Sequence, residues 1–352
     1  MNRRRITIDD LAVQPALGGG DLLGQGSGAI DPTTIVDLDV PVRRREVFTR
    51  AVDRAGASDV ILIGVSNRPV TAELHPLLTA LDVTYAPGGD HRAVVDTGDA
   101  EGAAERFRSA ANACPTASLV AAQVVRAGEP LDRMSALDVE SLAYSALQGG
   151  AEYGSWLAER RALGRPRPAA APDAVLVERV EDTLHVTLNR PERRNAYGAG
   201  VRDALVQALG VAIVDDSVRR VVLDGAGPSF CAGGDLDEFG HMPDAASAHL
   251  IRTRGGAGRL VAALSARVEA RLHGHCVGAG IEIPAFAGRV VARPDVRLRL
   301  PEVSMGLIPG AGGTVSVPRR IGRWRALHLF VTGAEIDATQ ALAWGLLDAI
   351  ED

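Results

Sequence analysis

The sequence has little of what builds a stapled, membrane-spanning or nucleic-acid-binding protein. Its three cysteines, Cys114, Cys231 and Cys276, are too few and too scattered for a disulfide framework, and no CxxC pair offers a zinc site. A reducing, cytoplasmic compartment is the natural expectation. Basic residues are outnumbered, 38 against 44 acidic, for a net charge of −6, which removes bulk electrostatic support for a nucleic-acid partner. No apolar run approaches the ~18 residues of a membrane span. The opening MNRRRITIDDLAV has basic residues but no apolar stretch of signal-peptide length. Aromatic residues are only 4% of the chain. What is present is 46% hydrophobic and 23% charged, the composition of an ordinary globular protein, and 352 residues leave room for two domains.

Residues 1–30 include ALGGGDLLGQGSG, without periodicity, and predict a flexible lead-in. The stretch lacks the GK[ST] ending of a phosphate-binding loop. From residue 31 a globular pattern begins. VPVRRREVFTRAVDRAG and TAELHPLLTALD predict helices, and the continuous apolar run from Asp59 to Val65 predicts a buried strand. Val83 to Tyr85 and Ala93 to Asp96 are further strands, so an α/β layer is expected. Residues 101–161 predict helices, one opening at Pro115 and one running unbroken from about Ser135 with Leu137, Leu142 and Leu147 as its apolar stripe. Tyr144, Tyr153 and Trp156 are expected in packing roles. Residues 162–173, LGRPRPAAAPDA, predict a linker. A second unit, 174–352, opens with a hairpin of residues 174–180 and 183–188.

The chemistry concentrates further on. RLHGHCVGAGIEIP carries a glycine turn at Gly278, Ala279 and Gly280, with Glu282 just after it. Twenty residues later comes Glu302, and then a small-residue loop from Pro309 to Thr314. Glycines let backbone approach a ligand closely, and a turn entering a helix leaves N–H groups pointing outward. That suits an oxygen that becomes negative during a reaction, and two carboxyls beside it can move protons. The neighbouring Cys231 and Cys276 are expected to be buried thiols, and His273 and His275 to have structural hydrogen bonds.

LNRPERRNA, SFCAGGDL, GAGIE and LPE followed by MGLIPGAGGT, in that order and at that spacing, resemble the enoyl-CoA hydratase/isomerase family, or crotonase superfamily, over about residues 174–352. The resemblance implies an α/β fold with a crotonase-like core of stacked ββα units in a spiral. Ahead of it stands the N-terminal α/β plus helical domain. The helices of 101–161, with their E-x-x-x-Y-S pattern and W-L-A-E-R-R tail, are similar to the portion that follows the core in the family. Here they precede it, which implies either two fused units with the first eroded or a permuted order, with these helices packing on the downstream core.

By the same resemblance, Glu282 and Glu302 are the catalytic acids of a hydratase, Glu282 for the water and Glu302 for the α-carbon. Gly234 and Ala279 supply the oxyanion-hole N–H groups, Ala279 in place of the commoner glycine, which requires a negative φ. Arg193, Asn195, Ala232, Gly233, Asp235, Leu236, Gly278, Pro309 and Gly310 are the implied substrate contacts. Arg193, Arg194 and Arg190 are placed to meet CoA phosphates, and Asp235 is expected to begin a helix. Residues 239–258 shape the acyl pocket without fixing chain length. No metal, flavin or nicotinamide fingerprint occurs, so no cofactor beyond the substrate's own CoA is expected. Partners are an acyl-CoA and, by family analogy, further copies in a trimer or hexamer, with no nucleic acid or membrane. Alternatives are an isomerase, a hydrolase or a cofactor-free oxygenase-type member, and, in another class, a non-catalytic partner-binding subunit.

Overall fold

The computed structural model describes residues 5–13, 31–42, 44–164, 173–242 and 244–351. The first sheet is β1 (Arg5–Thr7), β2 (Thr33–Asp37), β3 (Ile61–Val65), β4 (Val83–Ala86) and β5 (Val94–Asp96), all parallel and in sequence order. Parallel sheets are covered on both faces, which is why ILIGV can be apolar throughout. Ile61, Ile63 and Val65 face one apolar cluster, and Leu62 the other. The second face is closed by α1 (Ile8–Val13), α2 (Arg45–Gly56) and α3 (His75–Ala80), through Ile8, Leu11, Val47, Ala51, Leu77 and Leu78. The expected flexible lead-in is therefore corrected at residues 5–13. There Ile6 and Ile8 have apolar surface to bury, and Thr7 pairs with Asp37 across the edge of the sheet. The glycine-rich rest of that segment lies outside the described residues.

The helical block comprises α4 (Ala100–Ala113), α5 (Pro115–Gly128), α6 (Arg133–Gln148) and α7 (Ala151–Arg161). Asp99 caps α4 by accepting from Gly102 N, and Asp132 caps α6 by accepting from Met134 N and Ser135 N. The single long helix expected from Ser135 is in fact two, because Gly149 and Gly150 interrupt it. Leu142 also departs from its expected stripe. It is 58% exposed, whereas Leu137 and Leu147 are buried, a spacing of five having rotated Leu142 off the core face.

In the second unit, the hairpin of β6 (Val175–Val180) and β7 (Thr183–Leu188) forms as expected. After α8 (Ala199–Val214) come β8 (Arg220–Gly225), α9 (Ala245–Gly255) and α10 (Ala257–Ala263). The chain then repeats a pattern: a strand in a six-stranded sheet, a strand in a three-stranded sheet, then a helix. It does so first with β9 (Val268–Leu272), β10 (His275–Val277) and α11 (Ala279–Glu282). It does so again with β11 (Arg289–Ala292), β12 (Arg297–Arg299) and α12 (Gly313–Ile321). These are ββα units of a spiral. α13 (Arg323–Thr332), β13 (Ile336–Asp337), α14 (Ala338–Trp344) and β14 (Ala349–Ile350) complete both sheets.

The two units share their core. The first face of the N-terminal sheet, the helical block and the spiral belong to one apolar cluster. α13 lies against the N-terminal sheet and makes polar bonds to it. Trp324 Nε1 donates to Leu81 O at 2.9 Å, Arg325 Nε to Val94 O at 3.2 Å, and His328 Nδ1 is 2.8 Å from the Tyr85 hydroxyl. At the same seam Asp82, fully buried, accepts from Leu62 N and from the Arg126 guanidinium, with Arg323 Nη1 3.5 Å away. Helices 101–161 thus fold back on their own downstream core, as the resemblance implied.

Removing one partner of a buried ion pair strands the other charge, at a cost of about 3–5 kcal/mol. Asp82→Ala is expected to lower unfolding stability by about that much in urea titration, with both units melting in one transition. A change below ~1 kcal/mol would mean that Arg126 and Arg323 find water instead.

Candidate active site

Three backbone segments run side by side to make the site. Cys231 pairs with Cys276 in a parallel bridge, and Val277 N donates to Cys231 O at 3.0 Å. Tyr197 N donates to Gly233 O at 2.7 Å, and Asp235 N to Tyr197 O at 3.2 Å. The approach is close enough to demand glycine. A Cβ at Gly280 would lie 2.3 Å from Cys231 O, and Gly233 has φ of +91°. Both thiols are buried in apolar surroundings, which raises their pKa values, that of Cys231 to about 12, so they are packing groups. Ala279 is not among the positive-φ residues, so it meets the condition under which alanine is tolerated there. Among the described residues no protein acceptor faces the N–H of Gly234 or of Ala279.

The two expected acids converge on Gly278, whose φ is +50°. A Cβ there would lie 2.3 Å from Glu302 Oε1 and 3.7 Å from Glu282 Oε1. Glu282 is held by the small-residue loop, its Oε2 accepting from Ala311 N at 2.6 Å and Gly313 N at 2.9 Å. Glu302 Oε2 is buried and accepts no hydrogen bond.

A third carboxyl, not singled out in the sequence, completes the set. Glu140 on α6 is 2% exposed and grips the same loop from its other side. Its Oε1 accepts from Gly312 N at 2.8 Å, and its Oε2 from Thr314 N at 2.9 Å and Thr314 Oγ1 at 2.7 Å. Burial raises the pKa of all three acids. Glu140 and Glu302 are each pushed up to about 7, and Glu282 well above the usual carboxylate range, with repulsion from Glu302 and Glu140 next in importance for Glu282. The E-x-x-x-Y-S pattern of residues 140–145 was the available signal for Glu140.

Several implied substrate contacts have other partners. Asn195 is fully buried and its Nδ2 donates to Ala226 O, Ser229 O and Phe230 O, while Oδ1 accepts from Arg190 N. It organises the turn from within, leaving no polar atom for a ligand. Arg193 donates to Asp235 at 2.7 Å and to Asp237 at 2.8 Å, so its guanidinium is already ion-paired. Arg190 likewise meets Glu192. Asp235 starts no helix. It is buried against Arg193, and the next helix begins at Ala245. Leu236 uses its carbonyl to accept from Arg160 Nε at 2.9 Å. Ala232, Gly233, Gly278, Pro309 and Gly310 lie on the loops that enclose the site. His273 has the structural hydrogen bond expected of it, Nε2 lying 3.0 Å from Gly227 O, whereas His275 is exposed and has no side-chain hydrogen bond among the described residues; Glu269 on β9 is ringed by Arg220, Arg271 and Arg289.

Aromatic rings from the helical block line the same region. A Cβ at Gly310 would strike the Tyr144 ring at 2.3 Å, and one at Gly234 would meet Phe239 at 3.0 Å. Trp156 stacks on Tyr153 at 5.9 Å and meets Phe239 edge-on at 5.7 Å. Among the described residues no cluster of His, Cys, Asp and Glu has metal-binding geometry, and no helix is long and apolar enough to cross a membrane.

Residues 178–351 match the family described as enoyl-CoA hydratase/isomerase. Over 175 residues the chain is 36% identical to an enoyl-CoA isomerase/hydratase of Mycosarcoma maydis, covering 47% of this chain and 64% of that protein. It is 35% identical to a 2,3-dehydroadipyl-CoA hydratase of Escherichia coli, covering 50% of this chain and 68% of that one. It is 34% identical to a 1,2-epoxyphenylacetyl-CoA isomerase of the same organism, covering 48% and 66%. The chain thus spans about two thirds of the length of these curated relatives.

The buried acids set a pH dependence of stability. Glu302 has a folded pKa of about 7, raised above its ordinary value, so its contribution is complete below about pH 4.5 and is lost as pH rises through 7. The Glu302→Gln variant is expected to lose less stability than the parent between pH 5 and pH 8, by up to about 3 kcal/mol in thermal or urea melts. Parallel curves would show that Glu302 is not desolvated as described.

Proposed function

Because the chain belongs to the enoyl-CoA hydratase/isomerase family, we propose that it acts on an acyl-CoA thioester and adds water across a 2-enoyl double bond. The observation that carries this reading is the convergence of two buried carboxyls, Glu282 and Glu302, beside two N–H groups, those of Gly234 and Ala279, that have no acceptor among the described residues. A conjugated thioester becomes electrophilic at its β-carbon when charge flows on to the carbonyl oxygen. Two preorganised N–H donors stabilise that oxygen as an enolate, typically the largest single catalytic effect.

Glu282, oriented by Ala311 and Gly313 N–H, takes a proton from the attacking water, whose oxygen bonds to the β-carbon. Glu302, whose Oε2 has no protein partner, gives its proton to the α-carbon as the enolate collapses. Water is thereby added whole, and the pair returns to its starting state when Glu282 passes its proton back to Glu302 through solvent. Glu302 raises Glu282, and Glu140 raises both, so the carboxyls titrate as one coupled unit. The name of the 2,3-dehydroadipyl-CoA hydratase supports hydration.

Isomerisation is the second reading, supported by the two relatives named isomerases. Moving a proton between carbons needs the same carboxyls but consumes no water. The acyl group would lie against Phe239, Trp156 and Tyr144, and the exposed Leu176, Val177 and Val180 on edge strand β6 support assembly with further copies.

Crotonyl-CoA is the test substrate, followed by loss of its enoyl-thioester absorbance. Glu282→Gln and Glu302→Gln are each expected to lower kcat by about 10²- to 10⁴-fold. The wild-type pH–rate profile should contain an ionisation near 7, the value for Glu302. Scrambling of deuterium with the double bond retained would favour the isomerase. A profile flat from about pH 5 to 9 would remove the coupled acids from the mechanism.

A further inference from the structure

Four successive amides of the small-residue loop face two carboxyls in alternation. Ala311 and Gly313 donate to Glu282, while Gly312 and Thr314 donate to Glu140. The two acids come from opposite sides of the loop and from different units of the chain, Glu140 being 172 residues from Gly312. We propose that Glu140, carried by the helical block, is a positioning residue that clamps the loop against Glu282 and fixes the direction in which the Glu282 carboxyl points. This rests on the reading of Glu282 as the group that handles the water.

The geometry explains why one carboxylate is needed at this place. The loop must turn its amides alternately left and right to give Glu282 two donors, and that leaves two more donors buried on the far side. Left unsatisfied, each would carry the desolvation penalty of a buried donor, and the loop would relax towards whichever side bonded it. A carboxylate meets both at once, and the Thr314 hydroxyl as well. Glutamine cannot, because its NH2 would face an N–H. Leu137 and Tyr144, one turn either side on α6, press on Gly312 and Gly310 and set the helix in place.

Glu140 also acts through its charge. The groups facing it are Glu282 on α11, Glu302 after β12, Arg252 on α9 and its own helix neighbour Tyr144. Arg259 on α10 is taken by Asp138, and Arg319 on α12 is turned to the carbonyls of Val315 and Leu131. Arg252 lies 4.6 Å over the Tyr144 ring and donates to the Ser141 hydroxyl at 3.0 Å and to the Ser145 hydroxyl. It favours the ionised form of Glu140, and ionised Glu140 in turn raises the pKa of Glu282, which makes the Glu282 carboxylate a stronger base.

The full-length chain with Glu140→Gln and Glu140→Asp tests this. For Glu140→Gln the expected result is a folded protein by circular dichroism, acyl-CoA affinity near wild type, and kcat down about 10²-fold on crotonyl-CoA. The ionisation limb of the coupled acids in its pH–rate profile should move to lower pH, since a neighbouring negative charge is gone. Glu140→Asp keeps the charge but retracts it, so the rate should fall while the limb stays near wild type. A lowered melting temperature with kcat and limb unchanged would make Glu140 merely structural and overturn the proposal.

Carboxyl 13C NMR, with Glu282 assigned by its absence in Glu282→Gln, gives a readout that needs no turnover. If wild type fails to hydrate but the Glu282 midpoint still drops in Glu140→Gln, the functional reading falls and the positioning role stands. An unmoved midpoint in an active enzyme sinks the positioning role and leaves the function.

Discussion

Three carboxyl groups are buried within one small region, and everything around them follows from the need to make that tolerable. Charged carboxylates are costly out of water unless hydrogen bonds compensate them. Here the compensation is backbone: residues 311–314 direct four consecutive N–H groups at Glu282 and Glu140. Only small residues fit. A Cβ at Gly312 would reach the Phe286 ring at 2.4 Å, and one at Gly313 would lie 2.6 Å from Glu282 Cγ. Glu302 is left without a hydrogen bond at one oxygen, and burial raises its pKa. An unsatisfied, proton-holding oxygen is a poor device for stability and a useful one for chemistry.

The order of the two units along the chain gains a physical meaning from the same contacts. The helical block supplies Glu140 and the rings of Tyr144, Tyr153 and Trp156, and α13 of the spiral covers one face of the N-terminal sheet. Neither unit has its exposed faces closed without the other. A separate partner-binding module would be expected to keep its own core and a thin, wet interface. The observed seam instead has the fully buried Asp82 between Arg126 and Arg323.

Legibility in the sequence was uneven, for identifiable reasons. The two glycine turns and the pair Glu282 and Glu302 were readable because their chemistry depends on local residue types at fixed spacing. β3 and the β6–β7 hairpin were readable from apolar periodicity and turn residues. The break at Gly149 and Gly150 was written in the chain but was outweighed by the helical residues on both sides. Asn195, Arg193 and Asp235 carry side chains suited to ligands, yet they serve the turn itself. Whether such a group faces outward or inward depends on neighbours from residues 224–237, which no local pattern specifies.

The sequence by itself determined which backbone segments could approach one another closely and which acids would stand beside them, because glycine conformational freedom and carboxyl chemistry are properties of single residues. Only the tertiary structure decided that a third acid from the other unit would share their loop, and that the arginine expected at phosphates would be neutralised by Asp235 and Asp237. The reason is physical. Burial, mutual repulsion and hydrogen-bond competition exist only between groups that folding has brought together, and Glu140 meets Thr314 across 174 residues of chain.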